Sequence, residues 1–339
     1  MTPSDRTEIR LALPSKGPLA EETLALLDRA GLRVHRPNLR QLKASIPAMP
    51  GLAVLFQRVG DIVVGVRSGS VDLGITGLDM VAERAGFDGD ILVLHPALGY
   101  GHCTLNVIVP EAQTDVRRMA DLPAWQARLG RPLRVATKFP NQAAAFFRQH
   151  GVTGIDLVPS EGSLEIAPTI GYADLIVDLV ATGTTLRDNR LRSLEDGQIL
   201  SSQACLIANR VTLRRNPAAL EMARQLLEFI VAHLRAAENV SVFANICGES
   251  PEEIAARILP RPVIGGLQGP TISPLITRHD GRWYAIHIVV RKDQLAQAIA
   301  ELRAIGGSGV VVAPVTYIFE EEPPEVSAML AALKADEGG

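Results

Sequence analysis

The feature that most constrains this chain is a regular alternation. Short aliphatic or β-branched runs recur from Ile9 to Val180, separated for the most part by stretches with helical spacing. Strand signals fall at Ile9–Leu13, Leu52–Val59, Asp72–Thr76, Ile91–His95, Thr104–Val109, Leu133–Thr137, Ile155–Pro159 and Ala173–Val180. Between the first two, Leu19, Thr23, Leu26, Leu27 and Ala30 share one helical face. Such alternation predicts open, largely parallel sheets with helices on their faces. Aromatic residues make up only 4% of the chain, so small aliphatic side chains must fill the interior, as α/β layers allow.

The texture changes late. Ser193–Asn209 reads as irregular or extended chain, strongest as strand at Ala204–Ala208, and a long helix runs from Asn216-Pro217 to about Glu238. From Val240 the pattern is strand, helix, strand, strand, helix, strand, ending near Phe319, which is the βαββαβ order of a ferredoxin-like domain. The Gly/Pro-rich run Pro260–Pro270 is a loop within it. The last residues, 320–339, open with Glu320-Glu321-Glu322-Pro323-Pro324 and predict an acidic tail, loosely helical or disordered.

At 339 residues the chain is long enough for two or three domains. A net charge of −3 offers no field for nucleic acid, so an anionic ligand needs a local site. Asp5, Arg6, Glu8 and Arg10 leave no apolar signal core at the start, and no run approaches the roughly 20 residues that span a bilayer. Cys103, Cys205 and Cys247 lack zinc or disulfide spacing; they read as small buried hydrophobes and point to a reducing cytoplasm. The seven histidines are scattered and read as structural.

One stretch carries chemistry on its face. The apolar run Ala173–Val177 leads through Asp178-Leu179-Val180 into Ala181-Thr182-Gly183-Thr184-Thr185, and a short helix, Leu186–Leu191, is expected next. Glycine lets backbone amides approach a phosphate, the threonines add hydroxyls, and the helix start adds N–H donors. Asp178 is placed to accept from ribose hydroxyls. From these residues alone, a helix capped by threonine with a solvated aspartate is an equally good reading.

The full string Asp178–Leu186 resembles the signature for phosphoribosyl pyrophosphate (PRPP) in ATP phosphoribosyltransferases. Gly162-Ser163-Leu164-Glu165-Ile166-Ala167-Pro168, Leu11–Gly17, Arg58 with Asp61-Ile62, Gly69–Gly77 and Ala136–Asn141 are similar to further blocks of that family, in family order. Leu259-Pro260, Pro270–Leu275 and Leu302–Gly306 resemble the histidine-binding domain of its long form. There are departures: Ser15 is inserted, Pro18 stands at a usual arginine, Val63 at a usual proline, Gly307 at a usual alanine, and Gln142–Ala145 lacks basic residues.

The resemblance implies a fold, an activity and a set of site residues. The fold is α/β, a two-lobed catalytic part of the periplasmic-binding-protein kind with a ferredoxin-like regulatory domain. By the same resemblance, lobe one spans 1–104 with 192–238, lobe two 105–191 with the PRPP loop, and the regulatory domain 239–319. The implied enzyme joins PRPP to N1 of ATP, releases pyrophosphate, opens L-histidine biosynthesis and is inhibited by histidine. Lys16, Arg58, Glu165 and Asp178 are the catalytic candidates. Asp178, Ala181, Thr182, Gly183, Thr184 and Thr185 are expected to hold PRPP, and Gly17, Gly77 and Lys138 to meet phosphates or nucleotide. Thr271, Ser273 and Gly307 are the expected histidine contacts. Mg²⁺ is expected, held mainly through substrate phosphates, and the chain is expected to be a homo-oligomer, dimer or hexamer. Asp72 and Asp79 read as helix or turn caps. A catalytically inactive regulatory paralogue and a two-lobed small-molecule-binding module are the competing readings.

Overall fold

Strands and amphipathic helices that alternate must stack in layers, and the computed structural model of the chain forms three sheets. It describes residues 8–38, 41–86, 89–160, 162–277 and 281–335. The chain divides into two compact units, Met1–Leu26 with Arg33–Gln225 and Pro324–Gly339, and Leu27–Leu32 with Leu226–Pro323.

From the amino end come β1 (Ile9–Pro14), α1 (Pro18–Arg29), β2 (Lys43–Ser45), β3 (Leu52–Gln57), α2 (Val59–Arg67), β4 (Leu73–Gly77), α3 (Leu78–Arg84) and β5 (Ile91–His95). Next are β6 (Cys103–Pro110), α4 (Leu122–Leu129), β7 (Leu133–Thr137), α5 (Pro140–Gln149), β8 (Ile155–Pro159), β9 (Leu175–Val180), α6 (Thr184–Asp188) and β10 (Leu191–Ser202). The chain returns through β11 (Ala204–Asn209), α7 (Arg210–Arg215) and α8 (Pro217–Ala237).

The first sheet has the order β2-β3-β1-β4-β11-β5 and the second β10-β6-β9-β7-β8. The first unit is therefore two-lobed. Each lobe has a parallel three-strand core, β3-β1-β4 in one and β9-β7-β8 in the other. Every other pairing in these two sheets is antiparallel, which corrects the expectation of largely parallel sheets. The strands that carry the chain between lobes run against their neighbours: β10 and β6 pair in the second sheet, and β11 re-enters the first against β4. Residues 193–209, expected to be irregular, thus form β10 and β11. Because β10 pairs with β6, residues 192–202 add to the second sheet and not, as expected, to the first lobe. One apolar cluster spans both lobes, from Ala12, Ile62 and Val66 through Leu105 and Val107 to Val135, Phe147 and Leu175.

In the second unit, β12 (Asn239–Cys247), α9 (Pro251–Ile258), β13 (Thr271–Pro274), β14 (Trp283–Arg291), α10 (Leu295–Ala304) and β15 (Ser308–Pro314) give the antiparallel order β13-β14-β12-β15. This is the ferredoxin-like arrangement expected from the sequence. Val240, Val242, Ala244 and Ile246 of β12 are buried with Tyr284, Ile286, Ile288 and Val290 of β14, a clean two-residue period toward the helices. The N–H of Gly307 donates to Leu302 O (2.8 Å) where α10 ends, and a Cβ at Gly307 would lie 2.7 Å from that oxygen. Glycine there is explained by the helix end.

The tail is ordered where it is described. Residues Pro324–Lys334 form α11, with Val326, Met329 and Leu333 buried. Arg210 and Arg214 donate to its last carbonyls, Ala332 O (2.8 Å) and Leu333 O (2.9 Å), as cations do at a helix C-terminus. The cysteines differ from one another: Cys205 is buried, Cys103 half-buried and Cys247 exposed, so the buried-hydrophobe reading fails for Cys247.

Candidate active site

Parallel strands deliver their carboxyl ends to one edge of a sheet, where α/β proteins gather ligand groups. In the first lobe, β1, β3 and β4 run parallel, with Pro14 level with Gln57. Their ends carry the Ser15–Gly17 turn, Arg58 and Gly77. The N–H of Ser15 donates to Gln57 O (2.8 Å), fastening the inserted residue, and Lys16 and Gly17 stand exposed beyond it. Gly17 has φ +81° and its carbonyl accepts from Ala20 N–H (3.0 Å), so it starts α1. Arg58 is the N-cap residue of α2, its carbonyl accepting from Asp61 and Ile62. Gly77 is buried and precedes α3, and a Cβ there would run into the Asp79 carboxylate.

In the second lobe β7 and β9 are parallel neighbours, with Thr137 level with Val177. Lys138 comes directly after β7 and Asp178 is the next residue on β9, which makes two predicted groups neighbours. Asp178 accepts from Leu179 N–H (2.8 Å). Burial pushes its carboxyl up and the neighbouring Glu165 adds to this; the bond from Leu179 and the Lys138 charge oppose it. Lys138, Glu165 and Asp178 therefore form one electrostatic group.

The phosphate-loop candidates come directly after β9. Gly183 has φ +72°, a left-handed conformation that favours glycine, and α6 begins at Thr184, two residues earlier than the sequence suggests. The Thr182 hydroxyl lies 3.2 Å from that of Thr184, and Thr182, Thr184 and Thr185 are not buried. Arg187, absent from the candidates drawn from the sequence, points its guanidinium at the Thr184 hydroxyl (3.3 Å). The only sequence signal for it is its place one turn into α6.

A cavity of about 330 Å³ lies at the crossing between the lobes. Leu78, next to Gly77, lines one side, and Val180 and Ala181, at the start of the loop, line another. Cys103 and Ser202 are also in its wall. Asp79, which reads from the sequence as no more than a cap, belongs to this region. It is buried in the first turn of α3, its N–H donates to Ser202 Oγ (2.9 Å), and that hydroxyl is 2.6 Å from Asp79 Oδ1. Burial pushes the Asp79 carboxyl up against these bonds. Burial and the Asp79 charge push the Cys103 thiol up to about 11, which favours the protonated thiol. Asp79 thus bonds across the lobes, while its carboxylate also accepts from backbone N–H groups of its own first turn, those of Asp79 and Met80, as the capping reading expects. Asp72, by contrast, ties strands together by accepting from Arg10 N–H (2.8 Å).

The remaining predicted residues sit elsewhere. Thr271 and Ser273 are exposed on β13, and Gly307 comes just after α10. Among the described residues no three His, Cys, Asp or Glu side chains group into a metal cage, and no helix is long and apolar enough to cross a membrane.

Comparison with known proteins agrees with this geometry. Residues 58–233 match the family model for ATP phosphoribosyltransferase and residues 236–317 that for the HisG C-terminal domain. ATP phosphoribosyltransferase 2, chloroplastic, of Arabidopsis thaliana is 44% identical over 337 residues, covering 97% of this chain and 81% of its own length. The ATP phosphoribosyltransferase of Gemmatimonas aurantiaca is 38% identical over 309 residues, 90% of this chain and 97% of its own. A solved structure of the ATP phosphoribosyl transferase (HisG:HisZ) complex from Thermotoga maritima shares the fold, with a TM-score of 0.50 at 24% identity, covering 65% of this chain and 98% of that one. Two family models laid end to end, and relatives aligned over 81% and 97% of their own length, leave one conclusion: the chain belongs to the ATP phosphoribosyltransferase family, in the form that carries the C-terminal domain.

Proposed function

We propose that the chain transfers the phosphoribosyl group of PRPP to N1 of ATP with release of pyrophosphate, the first step of L-histidine biosynthesis. The observation that carries this reading is the pairing of β7 with β9. It supports a site where Lys138 and Asp178 are neighbours at the strand ends, and Val180 and Ala181, just before the threonines, line a cavity that Leu78 lines from the first lobe. A new C–N bond forms at the anomeric carbon as the C–O bond to pyrophosphate breaks. Positive charge builds on the ribose and negative charge on the leaving group, so the protein's task is to hold two polyanions in line.

Thr182 to Thr185 receive the 5′-phosphate with backbone amides and hydroxyls, and Ala181 lines its approach. Asp178 accepts from the ribose hydroxyls. Lys16, Arg58 and Lys138 stabilise pyrophosphate or ATP phosphates, and Gly17 and Gly77 let the chain pass close to them. Glu165 faces the same ribose as Asp178. Mg²⁺, when bound, offsets the charge of the leaving group. Asp178 and Glu165, which lie close enough to interact, are the carboxylates that would face it, with substrate phosphates and water supplying the other ligands.

In this reading residues 105–191 with β10 are the PRPP lobe, 1–104 with the chain from β11 to 238 the nucleotide lobe, and 239–319 a regulatory domain worked by L-histidine through Thr271, Ser273 and Gly307. The protein acts in the cytoplasm as a homo-oligomer. The intact loop from Asp178 to Leu186 argues against a catalytically inactive paralogue, and its threonines have no purpose in a simple solute-binding module. The test is a coupled assay of pyrophosphate release. Release should require both PRPP and ATP and should fall when millimolar L-histidine is added. Release from PRPP without ATP would overturn the transferase reading, and indifference to histidine would leave the C-terminal domain as an assembly element.

A further inference from the structure

The helix after β7 does not present a bare amino terminus. Glu83, near the end of α3 and 6% exposed, reaches it from the first lobe. Its Oε1 accepts from Asn141 N–H (3.0 Å) and its Oε2 from Gln142 N–H (3.0 Å). The exchange is reciprocal: the Asn141 amide donates to Glu83 O (3.1 Å) and the Gln142 amide to Ala82 O (2.7 Å), satisfying carbonyls at the end of α3. A carboxylate on two N–H groups at a helix start is a charge-assisted pair, further favoured by the helix dipole. At its other end α3 is held through Asp79 and Ser202. A single short helix is thus bonded to the second lobe at both ends.

The turn that Glu83 grips is the one that carries Lys138. Phe139 N–H donates to Thr137 Oγ1 (2.9 Å), whose hydroxyl donates to Val177 O on β9 (2.9 Å), and Phe139 itself is buried. The backbone that carries the exposed Lys138 side chain is therefore held from one side by β9 and from the other by the start of α5. We propose that Glu83 is a positioning residue for the transfer reaction: it holds the β7–α5 turn so that Lys138 stays beside Asp178. This rests on the reading of Lys138 as a phosphate contact. Displacement of a phosphate-binding group by about 1 Å costs on the order of 100-fold in rate.

The test is a double-mutant cycle on the full chain, with kcat and KM measured for PRPP and ATP and folding followed by thermal unfolding. Glu83→Gln keeps the volume but sets an amide N–H₂ against one of the two N–H donors. It should lower kcat by roughly 10- to 100-fold with KM for PRPP little changed, and Glu83→Asp should recover part of the loss. In a Lys138→Met background the same substitution should cost almost nothing more. If Glu83→Gln is too unstable to isolate, Glu83→Asp, which shortens the reach to the two backbone N–H groups, is carried through the same cycle and must meet the same criterion. A Glu83 loss that multiplies fully with that of Lys138→Met, or near wild-type turnover in Glu83→Gln, overturns the positioning role while leaving Lys138 in place. A harmless Lys138→Met overturns the reading of Lys138 itself, and the proposal with it.

Discussion

Two turns lie side by side at the carboxyl ends of β7 and β9, and each leads into a helix. The β7–α5 turn has its helix N–H groups answered from within the protein, by Glu83. At the β9–α6 turn the N-cap residue is Gly183, which has no side chain to offer, the Thr184 N–H reaches the Thr182 hydroxyl only at 3.5 Å, and the threonines are exposed. One sheet edge can thus hold both a fixed frame and a receiving loop. Where the donors are satisfied internally the backbone is a frame for Lys138. Where they are left to the solvent, the loop is free to take an anion.

The greatest loss is expected on the receiving side. On the proposed function, Asp178→Asn removes the charge that would accept from the ribose hydroxyls, taken as two. Two charge-assisted bonds at about 1.5–3 kcal/mol each predict a loss of at least about 100-fold in kcat/KM for PRPP. Steady-state kinetics on the variant would check it, and a loss below about fivefold would take Asp178 out of the site.

A smaller effect is expected on the framed side. The amino ends of β7 and β9 are locked by Asp174, which accepts from Arg131 (2.6 and 2.7 Å), from Arg134 N–H (2.8 Å) and from the Arg134 guanidinium (3.2 Å). Burial works against its charge, but these bonds prevail and hold the carboxyl far below its ordinary value of 3.8. A depressed folded value means stability that is present above pH 3.8 and lost as pH falls below it. Asp174→Asn should lower stability at neutral pH by about 1–2 kcal/mol, allowing for the exposure of Arg131, and flatten the acid limb of the stability profile. Denaturant unfolding followed from about pH 7 down to about pH 2, through the unfolded-state value, measures both. An unchanged acid limb would show that Asp174 contributes nothing to that lock.

Much of this contrast is legible in the sequence, and the reasons for the rest are physical. The string Asp178–Leu186 announces its own chemistry because glycine and threonine act locally, within one turn. The ferredoxin-like order is equally plain, since β12 and β14 keep a strict two-residue period. β10 is not, because register shifts between Ser193 and Gln198 and between Gln198 and Leu200 break that period. α11 hides behind the acidic and proline-rich run at 320–324, and its buried positions, Val326, Met329 and Leu333, have meaning only against the surface they meet. The Glu83 clasp joins residues 58 and 59 apart in the chain, and no local pattern announces it. The lack of basic residues after Asn141 gains a sense from that clasp: Gln142 is there as a donor to α3.

If the open turn after β9 receives PRPP and the framed turn after β7 does not depend on that loop, the two substrates must respond differently to changes in the loop. The decisive measurement is kcat/KM for each substrate in Thr184→Val and Thr185→Val. Loss of one charge-assisted hydrogen bond, about 1.5–3 kcal/mol, predicts a fall of roughly 10- to 150-fold for PRPP and only a few-fold for ATP. Equal losses for both substrates, in a variant that unfolds like the parent chain, would contradict the division between receiving loop and frame.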